Sequence, residues 1–180
     1  MSRITVPTRD EAPEASKPIL DAVHQQLGVV PNLFRLIASS PQTLAAFTGF
    51  SGGMAKTLDL KTRERIALAV AQVNGCDYCL SAHTYLALNL AKISPEEVSA
   101  NRAGGSTDPR ADAAVRFATA VARDRGHVAD ADLAAVRLAG FTDANIVEIV
   151  GLIAENVFTN FLNEVARTDI DFPLVTRRAA

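Results

Sequence analysis

Both cysteines of the chain and one of its three histidines lie within eight residues of one another. Cys76 and Cys79 are three residues apart in the segment NGCDYCLSAH, and His83 follows four residues after Cys79. On a helix, these offsets place all three side chains on one face. A structural disulfide, a metal site and a redox-active dithiol all have this composition, so the rest of the sequence must distinguish between them.

The helix that we predict from Cys76 to about residue 91 places both thiols in its first turn. Unpaired backbone N–H groups and the positive end of the helix dipole stabilise a thiolate there, and Cys-X-X-Cys thiols often have pKa values lowered from about 8.5 toward about 7. Asp77 and the preceding Asn74-Gly75 turn predict an exposed or partly exposed helix start. Because the thiolate is the reactive form, this environment favours a nucleophile whose proton His83 can accept or relay.

A carboxylate lies upstream, in the segment KTRERIALAVAQVNGC. Glu64 is near the start of a helix predicted over residues 60–73. If this helix folds back against the next one, Glu64 and His83 both lie about two to three helical turns from the break and can meet. The carboxylate would then fix the tautomer of the imidazole and raise its basicity. From spacing alone, however, a glutamate in the first turn of a helix is predicted to be solvated.

Zinc binding is the main alternative for this cluster. Both thiolates, His83 and Glu64 would supply four ligands, but three of them share one helix, which leaves little room for tetrahedral geometry. His24 and His127 are distant in sequence. Attachment of a c-type haem needs a histidine directly after the second cysteine, where this chain has Leu80. We therefore predict no metal and no cofactor, and a pair of inert buried cysteines stays as the other alternative.

Composition and charge exclude several classes of protein. The net charge is −2, and the 18 basic and 20 acidic residues are well mixed, so we expect no nucleic-acid partner. We find no uninterrupted apolar run of membrane-spanning length and no apolar signal segment after the first methionine, and we expect a cytoplasmic protein without a membrane partner. Thiols are kept reduced in the cytoplasm, which weakens the structural disulfide as an interpretation.

A sequence rich in Ala and Leu, with Gly and Pro mainly between apolar-periodic segments, predicts a single all-α domain over residues 1–180. Residues 1–14 are expected to form an extended arm and residues 168–180 an extended tail. The predicted helices are 16–28, a short one after Pro31, Ser40-Pro41 to about Phe50, 60–73, 76–91, one starting at Ser94-Pro95, 109–125, 130–139 and a long one at 143–166 capped by Thr142.

Two further sets of residues recur at helical spacing. The asparagines of the last helix are Asn156, Asn160 and Asn163. We expect these amides to hydrogen-bond across a helix or subunit interface rather than to line a pocket, because buried amides need partners. The apolar stripe consists of Leu44, Phe47, Phe50 and Met54. It can form a wall near the thiols, but such stripes are more often plain core.

The order of Glu64, Cys76-Asp-Tyr-Cys79 and Leu-Ser-Ala-His83 resembles the AhpD-type alkyl hydroperoxidase core of the carboxymuconolactone decarboxylase-like superfamily. The matching segment runs from about residue 58 to 91, and the flanks VPNLFRLIASSPQTLAAF and NVFTNFLNEVARTDIDFP resemble peroxidase-related members. The resemblance implies an AhpD-like helical bundle with the Cys-X-X-Cys motif at the N-terminus of a central helix. It also implies a homo-oligomer, a trimer or a hexamer.

The resemblance further implies a thiol peroxidase and a role for each matching residue. Cys79 would attack a hydroperoxide and pass through a sulfenic acid, Cys76 would resolve it to a disulfide, and Glu64 with His83 would relay protons. An external thiol system would reduce the disulfide again. One position departs from the family pattern, since Tyr78 stands where members carry a histidine. Two other functions stay open: a redox-sensing dithiol with little turnover, and a cofactor-free lyase or isomerase with Glu64 and His83 as acid and base.

Overall fold

The computed structural model describes residues 2–177, which form nine α-helices, a 3-10 turn at Glu14–Ser16 and no β-strand in that range. The helices are α1 (Lys17–Leu27), α2 (Asn32–Ile37), α3 (Pro41–Met54), α4 (Leu60–Asn74), α5 (Asp77–Asn89), α6 (Pro95–Arg102), α7 (Pro109–Arg123), α8 (Asp130–Leu138) and α9 (Asp143–Ala166). The predicted all-α fold is confirmed. The boundaries lie close to those predicted, except that α3 continues for four residues beyond Phe50.

Side-chain caps explain several of the helix starts. Ser40, Ser94 and Thr142 each accept a hydrogen bond from the backbone N–H three residues later. Ser16 is the N-cap residue of α1, as predicted, but its buried hydroxyl makes no capping bond and donates to the carbonyl oxygen of Ala38 at 2.7 Å instead. Ser16 therefore ties the start of α1 to the end of α2.

Helix α4 lies at the centre of the bundle, in contact with α5, α6, α7 and α9. Its segment 66–71 is buried on all sides, with no residue more than 3% exposed. The helix that carries the dithiol, α5, packs against α4, α6 and α9. The turn between α4 and α5 and the facing side of α9 therefore position the cysteines.

The longest helix, α9, is apolar and only partly covered. Val147, Phe161 and Val165 are 71%, 54% and 61% exposed. With 24 residues, α9 is long enough to cross a membrane, and an 18-residue stretch of it has a mean hydropathy of 1.2. Of that stretch, 33% is buried inside the protein. One such helix is weak evidence for a membrane protein, because core helices of soluble proteins can have the same length and composition. Here α9 packs against α3, α4, α5 and α7.

The segment that precedes α1 and the segment that follows α9 lie next to each other at one point. Residues 2–13 and 169–177 contain neither α-helix nor strand. The backbone N–H of Arg3 donates to the carbonyl oxygen of Ala166 at 2.6 Å, and that of Asp169 donates to the hydroxyl of Ser2 at 3.0 Å. Met1 and residues 178–180 of the predicted arm and tail lie outside the described residues.

Candidate functional site

The turn between α4 and α5 places the two cysteines. Gly75 has a φ of 68°, and the backbone N–H of Cys76 bonds to the carbonyl oxygen of Ala71 at 3.1 Å, which ends α4. Cys76 is the N-cap of α5, and its sulfur accepts a hydrogen bond from the backbone N–H of Cys79 at 3.3 Å. The helix thus begins at Asp77, one residue later than predicted, and Cys79 is its third residue. Both thiols still lie near the positive end of the helix dipole.

Asn74, Gly75 and Asp77 are partly exposed, as predicted for the helix start, but both thiols are buried. Cys76 is 0% and Cys79 is 3% exposed. Their cover comes from residues far away in sequence, because Ile170, Phe172 and Val175 pack against the cysteine cluster. This segment therefore covers part of the cluster that contains the two cysteines.

Residues 169–177, which we call the C-terminal cover, are fastened to α5 and α2. Its hydrogen bonds include Val175 N to Ser81 Oγ (2.9 Å), Arg177 N to Asp77 Oδ1 (2.7 Å) and Asn32 N to Asp171 Oδ2 (2.7 Å). Arg102, the last residue of α6, also donates to the carbonyl oxygen of Thr176 at 2.7 Å. The ring of Phe172 packs edge-on against Tyr78 with 5.9 Å between centroids, and lies 6.1 Å from the ring of Tyr85. These contacts belong to one segment at the end of the chain, so they can open without unfolding the bundle.

We expect Phe172→Ala to raise the rate at which iodoacetamide alkylates Cys79 severalfold, because the substitution removes ring contacts and favours opening of the cover. The rate is measured by mass spectrometry on the reduced protein. Leu174→Ala is the matched control, since Leu174 belongs to the same segment but is 69% exposed. Equal rates in Phe172→Ala and the wild type would contradict a covering role.

Tyr78, the residue that departs from the family pattern, is buried and hydrogen-bonded to α2. It is 4% exposed, and its hydroxyl accepts a hydrogen bond from the backbone N–H of Leu33 at 3.1 Å. Burial raises the pKa of Tyr78 far above its ordinary value. The phenol therefore stays protonated near neutral pH and links α5 to α2 rather than replacing a histidine in a proton relay.

The structure brings Glu64 and His83 together. Nδ1 of His83 lies 2.9 Å from Oε2 of Glu64. Glu64 is 7% exposed, so the solvated position predicted from spacing alone is wrong. Burial alone would lower the pKa of His83, but the charge of Glu64 and its hydrogen bond outweigh burial and raise it. With Nδ1 held by Glu64, Nε2 is the ring nitrogen left to exchange a proton.

The two thiols have pKa shifts of opposite sign. The hydrogen bond that Cys79 accepts from the Cys76 thiol is the main cause that lowers the pKa of Cys79 to about 7, and His83 and Asn163 add to it against the effect of burial. The same contact, together with burial, raises the pKa of Cys76. Near neutral pH, Cys79 is thus the better nucleophile while Cys76 keeps its proton.

Two asparagines of α9 belong to this site, and sequence analysis did not assign them to it. Nδ2 of Asn163 donates to Sγ of Cys79 at 3.3 Å. Asn160 makes the predicted interhelix bond, with Oδ1 accepting from Nδ2 of Asn74 at 2.8 Å. Asn156 bonds only within its own helix, to the carbonyl oxygen of Leu152. An amide on the buried face of a helix needs a hydrogen-bond partner, and this is the sequence feature that points to Asn163.

An apolar groove of about 240 Å³ lies between α3 and α9. Its lining consists of Thr43, Ala46, Phe47, Phe50, Ala154, Glu155 and Phe158. Of the predicted apolar stripe, Phe47 and Phe50 line this groove, whereas Leu44 is fully buried core. Glu155 lines the groove, and its charge also contributes to raising the pKa of His83.

Within residues 2–177, no group of three or more His, Cys, Asp and Glu side chains is arranged so that it could hold a metal ion. Cys76, Cys79, His83 and Glu64 offer a dithiol and an acid-base pair.

The model of the carboxymuconolactone decarboxylase family matches residues 41–124, a range that contains Glu64, Cys76, Cys79 and His83. No curated protein matches the chain significantly.

Several solved structures share the whole fold. A peroxidase-related protein from Ralstonia eutropha JMP134, described as an alkylhydroperoxidase AhpD core, is 26% identical, with a TM-score of 0.84 over 94% of this chain and 92% of that chain. A peroxidase-related protein from Silicibacter sp. TM1040 is 25% identical, with a TM-score of 0.81 over 93% and 91%. The debrominase Bmp8, in complex with 2,3,4-tribromopyrrole, is 22% identical, with a TM-score of 0.80 over 95% of this chain and 92% of that chain. At this identity, the similarity shows a shared fold and nothing more.

Proposed function

Because the chain belongs to the carboxymuconolactone decarboxylase and AhpD-type superfamily, we propose that it is a thiol-dependent peroxidase that reduces hydroperoxides with its Cys76–Cys79 dithiol. The observation that carries this proposal is the geometry of the site: Sγ of Cys76 accepts from the backbone N–H of Cys79 at 3.3 Å, and Nδ1 of His83 lies 2.9 Å from Oε2 of Glu64. The thiol with a pKa of about 7 is Cys79, and its neighbour Cys76 holds a proton and lies in the same first turn. A peroxidase with a dithiol needs one ionised attacking sulfur and a second sulfur within reach.

The chemistry proceeds in two steps on the protein. The Cys79 thiolate attacks the terminal oxygen of a hydroperoxide ROOH, the O–O bond breaks, and an S–O bond forms. Sulfur loses two electrons and the peroxide gains them, giving a sulfenic acid and an alkoxide that takes up a proton to become ROH. Cys76 then attacks the sulfenic sulfur, and water leaves as the disulfide forms.

His83 and Glu64 would supply the proton. His83 has a raised pKa and a carboxylate at 2.9 Å, so its protonated form is stabilised near the thiolate. It can give this proton to the leaving alkoxide and recover it from the solvent, since the proton of the Cys76 thiol leaves with the water that is released as the disulfide forms. Glu64 acts through His83 by holding the ring and stabilising its charge.

The cycle requires an external dithiol, which reduces the disulfide by thiol exchange and is itself oxidised by two electrons. We place the cycle in the cytoplasm, where such reductants keep thiols reduced. A homo-oligomer is part of the proposal, and the exposed apolar side chains of α9, such as Phe161 and Val165, support it as surface that an assembly would cover.

The experiment that tests this function adds one equivalent of tert-butyl hydroperoxide to the reduced protein. We expect the loss of two free thiols per peroxide consumed and, when dithiothreitol is present, continued peroxide consumption over many cycles. Free thiols are counted by a chromogenic disulfide reagent and the peroxide by a colorimetric assay. A peroxide level that stays constant in both experiments would overturn the proposal.

A redox sensor with little turnover is the second candidate, and the burial of both thiols favours it. A covered dithiol can form its disulfide once and then meet an external reductant slowly, because the reductant is much larger than a peroxide. The same experiment separates the two functions. Fast disulfide formation with steady-state turnover at least about 100-fold slower would identify a sensor, since re-reduction would then be the slow step.

A further inference from the structure

Two of the buried hydrogen-bonding atoms beside Cys79 have no partner. Five buried side-chain nitrogen and oxygen atoms in the described part of the chain make no hydrogen bond, and two of these are Nδ2 of Asn160 and Oδ1 of Asn163. Both residues are almost completely buried, with 0% and 2% exposed. Unsatisfied polar atoms are rare in protein interiors, so a pair at a nucleophilic sulfur needs an explanation.

The hydrogen bonds that Asn160 and Asn163 make determine which of their amide atoms remain for a ligand. Asn163 uses its Nδ2 to donate to the Cys79 sulfur, which leaves Oδ1 as an unused acceptor. Asn160 uses its Oδ1 to accept from Asn74, and its Nδ2 makes no hydrogen bond of normal geometry, although this donor contributes to lowering the pKa of Cys79. Turning the Asn160 amide over would direct its NH₂ group at the NH₂ group of Asn74. Asn160 and Asn163 are three residues apart on α9, so their side chains lie on the same face of the helix, and Asn163 contacts Cys79 from that face.

We propose that Asn160 and Asn163 form the binding site for the peroxide group of the substrate. This inference rests on the proposed peroxidase function and adds the residues that hold the reacting oxygens. A hydroperoxide has one O–H donor and oxygen acceptors, so it complements one free acceptor and one free donor. Oδ1 of Asn163 receives the O–H of the terminal oxygen, and Nδ2 of Asn160 donates to the oxygen that carries the organic group.

This arrangement stabilises the charge that develops when the O–O bond breaks. As the Cys79 thiolate bonds to the terminal oxygen, negative charge moves from sulfur to the leaving oxygen, which then takes a proton from His83. A donor already placed at that oxygen stabilises the transition state more than the bound peroxide, and loss of one such donor in other enzymes costs about 10²- to 10³-fold in rate. In a buried site, this stabilisation is not weakened by water.

The inference is tested by comparing two reactions of the same sulfur in Asn160→Ala. Thiolate oxidation by tert-butyl hydroperoxide and thiolate alkylation by iodoacetamide are followed across pH, and each rate is divided by the thiolate fraction. We expect the ratio of the peroxide rate to the alkylation rate to fall about 100-fold, because only the peroxide reaction needs the donor. Asn156→Ala is the matched control, since Asn156 lies on the same helix, is 6% exposed and bonds only to Leu152. Its ratio should stay within about threefold of the wild type, as a change of less than about 0.7 kcal/mol.

The outcomes separate this inference from the proposed function. A wild-type protein that does not react with peroxide would reject the function, whereas a reactive wild type with an unchanged ratio in Asn160→Ala would reject only the amide site. Should Asn160→Ala not fold, Asn160→Asp keeps an acceptor for Asn74 and removes the donor. The same fall in the ratio is expected for Asn160→Asp, and an unchanged ratio in this variant likewise overturns the inference.

Discussion

Replacing Cys79 by serine is expected to abolish peroxide reduction, with a loss on the order of 10³-fold or more, because a serine hydroxyl stays protonated where the thiol of Cys79 ionises. The variant should consume no thiol when peroxide is added, although Cys76 remains. Cys76 has a raised pKa and therefore is not a substitute nucleophile near neutral pH. Peroxide consumption is measured with dithiothreitol as reductant, and full activity in this variant would remove the mechanism.

Replacing Cys76 by serine is the matched experiment and should give a different defect. A serine hydroxyl can still donate a hydrogen bond to Cys79, so the thiolate forms and attacks one peroxide. The sulfenic acid then has no resolving thiol, and we expect it to accumulate on Cys79, where dimedone traps it as one adduct per chain in mass spectrometry. If the trapped adduct appears at the wild-type level only, Cys76 is not the resolving residue.

A double variant, Cys76→Ser with Cys79→Ser, separates dithiol chemistry from acid-base chemistry on the same scaffold. It retains Glu64 and His83 at 2.9 Å from each other. Activity toward any substrate that persists in this variant would belong to the lyase or isomerase alternative. All peroxide activity should be lost, because no sulfur remains to accept the oxygen.

Local sequence signals predicted the helices well, because they act within one turn. Thr142 caps α9 and Ser94 caps α6, each through a bond to the third residue of its helix. The apolar periodicity of residues 60–73 predicted α4, and the Asn74-Gly75 pair predicted its end. Such features depend on backbone geometry close in sequence, so they do not need the tertiary structure.

The environment of the thiols could not be predicted in the same way, because it depends on contacts between distant segments. Phe172 and Asn163 reach the cysteines from more than 80 positions away. The burial of Glu64 depends on how α4 and α5 pack, and its spacing within α4 gave the opposite prediction. The family resemblance did indicate a relay of Glu64 with His83, since a motif preserves a contact that periodicity cannot show.

Replacing His83 by alanine is expected to raise the pH at which Cys79 ionises and to lower peroxide activity at neutral pH about 10²-fold. His83 contributes to lowering the pKa of Cys79 by its positive charge. Without this charge, the pKa of Cys79 rises above about 7, so a smaller fraction of thiolate exists at pH 7 and the rate profile moves to higher pH. The profile is measured by iodoacetamide alkylation between about pH 5 and 10, a window that brackets the thiol pKa values expected here.

Glu64→Gln should shift the profile in the same direction by a smaller amount. Glu64 raises the pKa of His83 by its charge, so glutamine in its place lowers that pKa. The imidazole then loses its proton at a lower pH and no longer stabilises the Cys79 thiolate near neutrality.

The matched control for His83→Ala is His24→Ala, since His24 is exposed and distant from the dithiol in sequence. A shift in this control equal to that in His83→Ala would indicate an effect of net charge rather than of position.

The two roles of His83 are distinguished at high pH. Above the raised pKa of Cys79, the thiolate is fully formed in His83→Ala, and the alkylation rate should return to the wild-type level. The peroxide rate should not return, because the leaving alkoxide still lacks the imidazolium that protonates it. Recovery of both rates would mean that His83 serves only to ionise Cys79. Recovery of alkylation alone would show that His83 delivers the proton as the O–O bond breaks.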